Sequence, residues 1–297
     1  MYSVIVPTFN NPTYLLNFYT QLKKFPFFKI EIYDNASSFP KMLEALEFLS
    51  SQENTVVHKL PNNLGPHYVL RTPEVYEKLP DIFCLSDPDV EFSIDLPNNF
   101  IEEMIRISEN YQTGKVGFAI EIPNEEEFLE PYIKMDGAIQ KMSEWEKQFW
   151  TNQIGSTSSN DPIYMTTLDT QFAVYNKNYF DPNDRYRAIR IGGKYTSKHL
   201  GFYKQSIVPK EEQDFYKNLS RFAYYIGNFD EEGNPFTKLP VHEYYLLLEQ
   251  NEGLERELKR VASERDRLNA ELQDFYNSNS WKLMRNFVKL RKRIFRG

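Results

Sequence analysis

The chain has 297 residues, 41% of them hydrophobic and 15% aromatic, enough apolar side chain to fill the core of one large or two ordinary domains, which excludes global disorder. Its net charge is −7, yet the stretch from Ser280 to Gly297 holds seven basic residues and no acid. An acidic body with a basic tail argues against a general nucleic-acid binder, and the single cysteine, Cys84, rules out an intrachain disulfide and a thiolate zinc cluster.

Tyr2 to Val6 reads as a strand that ends in Pro7-Thr8-Phe9-Asn10-Asn11-Pro12, and the spacing of Tyr14, Leu15, Phe18 and Leu22 predicts a helix behind it. A second strand, Phe28 to Tyr33, closes at Asp34-Asn35-Ala36-Ser37-Ser38 and leads to a helix carrying Met42, Leu43, Leu46 and Leu49. Thr55 to Leu60 is a third strand, followed by Pro61-Asn62-Asn63-Leu64-Gly65-Pro66 and a helix starting near His67. Ile82 to Leu85 is the fourth. The unit recurs at about 25–30 residues, the rhythm of an α/β fold with a mostly parallel central sheet covered on both faces. In such sheets the polar loops at the strand ends gather along one edge and build one crevice.

The fourth strand ends in Ser86-Asp87-Pro88-Asp89. Residues i and i+2 of a strand share a face, and Pro88 stops the strand, so both acids sit at its C-terminal mouth. Two carboxylates held there repel unless a cation lies between them, which favours a hard-metal site for Mn2+ or Mg2+. A solvated turn after a strand is the plain alternative, since an Asp-x-Asp tripeptide alone is weak evidence.

Further on, Ile101 to Tyr111 is expected to be a helix, Val116 to Ile122 a strand, and the region around Met142, Trp145 and Phe149 helical. Thr151 to Pro162 reads as a polar loop and a candidate mobile lid, and Met165 to Tyr175 as a strand containing Asp169. From about His242 the pattern changes: Leu247, Leu254, Val261, Leu268 and Phe275 recur every seven residues, with Asn251, Leu258, Arg265 and Leu272 as the second heptad series. That predicts a coiled coil and a homodimer, or a single long helix lying on the body. Beyond the break at Asn277-Ser278-Asn279-Ser280, Trp281, Leu283, Met284, Phe287, Val288, Leu290 and Ile294 form one broad apolar face among basic residues. Such a helix suits an anionic membrane surface; a disordered tail or an RNA contact is the alternative. The expected organisation is a body over residues 1–240, a coiled-coil helix over 241–278 and a basic amphipathic tail over 279–297. No run is long and apolar enough to span a bilayer and the N-terminus enters a strand directly, so the expected location is cytoplasmic, peripheral at the inner face of the membrane.

Val4-Ile5-Val6-Pro7-Thr8-Phe9-Asn10, Asp34-Asn35-Ala36-Ser37, Asn62-Asn63-Leu64-Gly65 and Asp87-Pro88-Asp89 stand in the order seen in bacterial glycosyltransferases of the GT-A fold, the family-2-like group of surface-polysaccharide synthesis, which the first 95 or so residues therefore resemble. The block from Arg190 to Tyr203 resembles a histidine-bearing segment of a branch of that fold, and Asn279-Ser280-Trp281-Lys282-Leu283 is similar to endings found after coiled coils in such enzymes. The resemblance implies a Rossmann-like nucleotide-diphospho-sugar transferase. Pro7, Thr8, Phe9 and Asp34 would frame the nucleotide, Asn63 and Gly65 would lie along it, Asp87 would face ribose and metal, and Asp89 and His199 would bind the metal. Asp34 has a plainer role open to it, an Asx turn or helix cap before Ser37. If the reaction inverts the anomeric centre, a carboxylate must take the acceptor proton. Asp169, which interrupts a strand-like run, is the first candidate and Glu146 the second, and because the glutamate-aspartate pair usual in the group is missing, base and stereochemistry stay open. The expected activity is metal-dependent transfer of a sugar from a nucleotide-diphosphate donor, UDP-linked in the first instance, to a glycan or lipid-linked glycan acceptor. A nucleotidyltransferase on a similar sheet, or a non-catalytic glycan-binding or scaffold module, are the competing readings.

Overall fold

The computed structural model describes residues 1–124, 126–128, 132–135, 138–203, 207–219, 260–268, 270 and 274. The chain divides into two compact units, Met1–Leu239 and Pro240–Gly297. The first opens with β1 (Tyr2–Thr8), α1 (Pro12–Leu22), β2 (Phe28–Asp34), α2 (Pro40–Ser50) and β3 (Thr55–Lys59). Two single-turn helices, α3 (Tyr68–Arg71) and α4 (Pro73–Tyr76), lead to β4 (Ile82–Leu85) and the short β5 (Val90–Glu91). Then come α5 (Phe100–Tyr111), β6 (Lys115–Phe118), β7 (Tyr132–Met135), β8 (Ala138–Lys141) and α6 (Met142–Lys147). The unit continues through β9 (Gln153–Ser156), β10 (Pro162–Thr167), β11 (Ala173–Asn176), β12 (Arg187–Ile191), β13 (Lys198–His199) and α7 (Lys210–Leu219).

Nine strands form one sheet in the order β3-β2-β1-β4-β11-β6-β12-β10-β9. The half from β3 to β4 is parallel throughout, as the strand–loop–helix rhythm requires. β11 then runs antiparallel to both β4 and β6, and β10 antiparallel to β9 and β12, while β12 and β6 are parallel. Side chains alternate between the two faces with period two. Val4, Val6, Cys84, Val174, Ile189 and Ile191 join the core under α1, α2 and α5, and Ile5, Phe83, Leu85, Ala173, Tyr175 and Ala188 join the opposite one with Val69 and Leu70. α5 shows why the periodicity succeeds: Phe100, Ile101, Met104 and Ile107 are fully buried at helical spacing, each contributing roughly 1.5–3 kcal/mol.

Two expected elements differ. The stretch from Thr151 to Pro162 is not a free lid: β9 and β10 pair as the edge hairpin of the sheet. Its turn is fastened by Thr157 Oγ1 to Asp161 Oδ2 at 3.2 Å and by Ser158 N–H, which donates to Glu103 Oε1 at 2.7 Å. Nor is Met165 to Tyr175 one strand; residues 168–172 form a loop between β10 and β11. Of the coiled-coil stretch only 260–268, 270 and 274 are described, all helical, and the basic tail 279–297 lies outside the described residues. Among the described residues, no helix is long and apolar enough to cross a membrane.

Candidate functional site

Loops at the C-terminal ends of β1, β2 and β4 line a crevice. Behind β1, Asn11 Oδ1 accepts from Thr8 Oγ1 at 2.6 Å and from Phe9 N at 3.3 Å, which fixes Thr8 and Phe9 just beyond Pro7. Asn10 has a left-handed backbone, φ 50°, and its Oδ1 accepts from the N–H groups of Ser38 and Phe39, both at 2.8 Å, so the first two loops are stitched together. Asn35 extends the seam by donating to Thr8 O and accepting from Leu64 N at 3.0 Å. Asn63 Oδ1 accepts from Gly65 N at 3.1 Å, and Gly65, at φ 82°, holds a conformation that a side chain would strain. Asp34 is buried, with both oxygens accepting from Ser37 N at 3.3 Å, and burial raises its pKa against that bond. It thus caps the turn three residues on, the plainer role, at the place where the resemblance puts the nucleotide.

β4 delivers Asp87 and Asp89. Because β11 is antiparallel to β4, with Ala173 opposite Leu85, the loop before β11 lands on the mouth of β4. Asp87 N–H donates to Thr170 O at 2.8 Å and Thr170 Oγ1 donates to Asp87 Oδ2. Burial pushes the Asp87 carboxyl well above the ordinary carboxylate range, and the charges of Asp89 and Asp169 push the same way. The ladder between β5 and β13 sets His199 opposite Val90, and Leu200 N–H donates to Asp89 O at 2.8 Å. His199 Nε2 then stands 3.5 Å from Asp89 Oδ2, its ring stacked on Phe202. Asp89 Oδ1 and His199 Nδ1 are buried without a hydrogen-bond partner.

The approach of His199 to Asp89, beside an Asp87 carboxyl whose burial disfavours its charge, is a donor set that a divalent cation would suit. Among the described residues no three His, Cys, Asp or Glu side chains gather tightly enough to enclose a metal on their own. Mg2+-type ions take one or two protein carboxylates and fill their remaining positions from other ligands and water.

The two candidate bases part company. Asp169 sits in the 168–172 loop with 58% of its side chain exposed. Its Oδ1 lies 3.1 Å from Nε2 of the buried His67. Burial opposes the charge of Asp169, but the His67 bond and the nearby Lys115 and Arg185 outweigh it and lower its pKa. Burial lowers that of His67 as well, so the contact is a neutral imidazole donating to a carboxylate rather than an ion pair. Glu146 is enclosed: only 4% of its side chain is open and it pairs with Arg190, which also donates from Nε to Thr167 O at 2.7 Å and lies over the Phe149 ring. A carboxylate closed off in this way fastens α6 to β12 and is out of an acceptor's reach.

Sequence reasoning missed three contributors. Lys115, on β6, is buried and its Nζ donates to Leu168 O and Asp169 O, each at 2.6 Å, and to Arg185 O at 3.2 Å. Gly117 lets the same loop sit down, since a Cβ there would come within 2.2 Å of Leu168 Cδ2. α7 packs on the first loop: Glu212 accepts from Thr13 N and Oγ1, and Tyr216 lies 6.5 Å from Phe9, ring to ring. Glycine and lysine beside a strand carry no local signal for either role, whereas His67, directly after the Asn-Asn-Leu-Gly-Pro turn, was open to notice.

No family model and no curated protein matches the chain. Among solved structures it is similar to the mannosyltransferase PcManGT from Pyrobaculum calidifontis in complex with GDP-Man and Mn2+, at 12% identity and a TM-score of 0.42, over 95% of this chain and 82% of that one. It is also similar to a GalNAc-T structure with UDP, GalNAc and Mn2+, at 12% identity and a TM-score of 0.41, over 67% of this chain. A third likeness, to the apo bifunctional glycosyltransferase WbbM, has 12% identity and a TM-score of 0.31 over 59% of this chain. The chain spans 43% and 31% of the length of the latter two.

Proposed function

We propose that the body of this chain is a metal-dependent glycosyltransferase of the GT-A fold, moving a sugar from a nucleotide-diphosphate donor, a UDP-sugar first, to a glycan or lipid-linked glycan acceptor in surface-polysaccharide synthesis. The observation that carries the reading is the approach of His199 Nε2 to Asp89 Oδ2, 3.5 Å apart, two residues beyond Asp87 at the end of β4, with unpartnered buried polar atoms on Asp89 and His199. Pro7, Thr8, Phe9 and Asp34 frame the nucleotide, and Asn63 and Gly65 lie along it. Asp87, Asp89 and His199 hold Mn2+ or Mg2+, which when bound neutralises the diphosphate and stabilises it as a leaving group. Asp169 takes the proton of the acceptor hydroxyl as that oxygen bonds to the anomeric carbon, while the bond from that carbon to the β-phosphate oxygen breaks and releases the nucleoside diphosphate.

The same reading makes the 241–278 segment a dimerising coiled coil and the 279–297 tail a peripheral anchor at the inner face of the cell membrane. The coiled coil is supported by Val261 and Leu268, seven residues apart on the described helical stretch and about half exposed. The test is hydrolysis of UDP-, GDP- and dTDP-sugars with Mn2+ and with a chelator. Turnover of one donor class that vanishes on chelation is expected, and turnover indifferent to the metal contradicts the reading.

A further inference from the structure

His67 is a buried ionisable group in contact with Asp169 that the proposed chemistry leaves unused. It heads α3, where its carbonyl accepts from Leu70 N and Arg71 N at 3.0 Å, and its ring meets Tyr186 edge to face at 5.9 Å. Among the described residues its Nδ1 is buried without a partner, and its ring makes one polar contact there, with Asp169. Burying an unpaired ring nitrogen costs stability that a phenylalanine or leucine in that space would not. The contact it keeps is thus the reason to look for a role.

We propose that His67 is the positioning residue of Asp169, its Nε2–H holding Oδ1 so that Oδ2 faces the cleft; this rests on the reading of Asp169 as the base. The rest of the neighbourhood is built to the same end. Lys115 grips the Asp169 carbonyl from beneath and Gly117 seats Leu168, so the main chain is already fixed at this point. A carboxylate on a fixed backbone retains its χ1 and χ2 freedom, and a rigid imidazole removes it. His67 also follows the Asn63–Gly65 loop directly, so a single hydrogen bond joins the donor-side loop to the acceptor-side carboxylate.

The experiment is UDP-sugar hydrolysis by the full chain, with His67→Gln, His67→Phe and His67→Leu made in the wild-type and the Asp169→Asn background and folding followed by circular dichroism. Glutamine presents an amide N–H near the Nε2 position, while phenylalanine and leucine fill the space without a donor. The expected result is a kcat about 30-fold lower for either apolar variant with the donor KM within about twofold, and a kcat within about threefold of wild type for His67→Gln. In the Asp169→Asn background the apolar substitutions are expected to cost nothing further. An equal loss in all three variants, or a loss that persists in full beside Asp169→Asn, overturns the positioning role. Full turnover by Asp169→Asn alone overturns the base assignment beneath it.

Discussion

The two walls of the crevice are built by opposite means. One comes from the loops behind β1, β2 and β4, where each polar side chain sits a few residues past the strand that aims it, and Asn10, Asn11 and Asn35 bind neighbouring loops together. The other comes from the 168–172 loop and β13, and reaches the first wall through contacts remote in sequence: Thr170 meets Asp87 across 83 residues. A parallel repeat places residues by local rule. An inserted antiparallel strand places them by where its end happens to fall, so the second wall is held by a buried lysine and a glycine seat on β6 rather than by asparagines of adjacent loops.

Two substitutions in the antiparallel half of the molecule, at contacts likewise remote in sequence, sharpen that contrast. The larger effect is expected at the buried Glu146–Arg190 pair: Glu146→Ala leaves Arg190 buried and uncompensated and should lower unfolding free energy by about 3–5 kcal/mol, read by chemical denaturation. The folded fraction should keep its kcat within about twofold; a loss of turnover without a loss of stability would return Glu146 to the chemistry. The smaller effect concerns Glu103, which accepts from Arg106 and from Ser158 N–H of the edge hairpin. The Arg106 bonds, opposed by burial and aided by Ser158, hold its pKa at about 2 against an ordinary 4.5. A depressed carboxylate contributes stability above its unfolded pKa and loses it as pH falls through its folded one. Wild type should therefore exceed Glu103→Gln in Tm at neutral pH, and the gap should close between about pH 4.5 and pH 2. A gap that is constant with pH would show that the charge of Glu103 does nothing for the hairpin.

The same contrast explains what could be read from sequence. The strand rhythm, the crevice edge and the Asp87-Pro88-Asp89 turn were legible because each is a local pattern. His199 was placed only through a resemblance, and the structure brings it to Asp89 through a two-residue ladder that no periodicity announces. Asp169 was singled out as an acid interrupting a strand; in the structure it is a loop residue, because Leu168 seats on Gly117 and Lys115 takes up the loop carbonyls. Glu146 reads as a free acid in a helix, and its partner Arg190 lies 44 residues away. Pairings of that kind are fixed by tertiary packing and leave no mark on either segment alone.

The most direct measurement is calorimetric titration of UDP and GDP into the full chain with Mn2+ and with EDTA, repeated for Asp89→Ala. If Asp87, Asp89 and His199 hold a cation beside a diphosphate, Mn2+ should tighten binding of one nucleotide by about tenfold or more in the wild type, and the gain should disappear in Asp89→Ala. Nucleotide affinity that is the same with and without Mn2+, or a gain that survives the loss of Asp89, would contradict the proposed site.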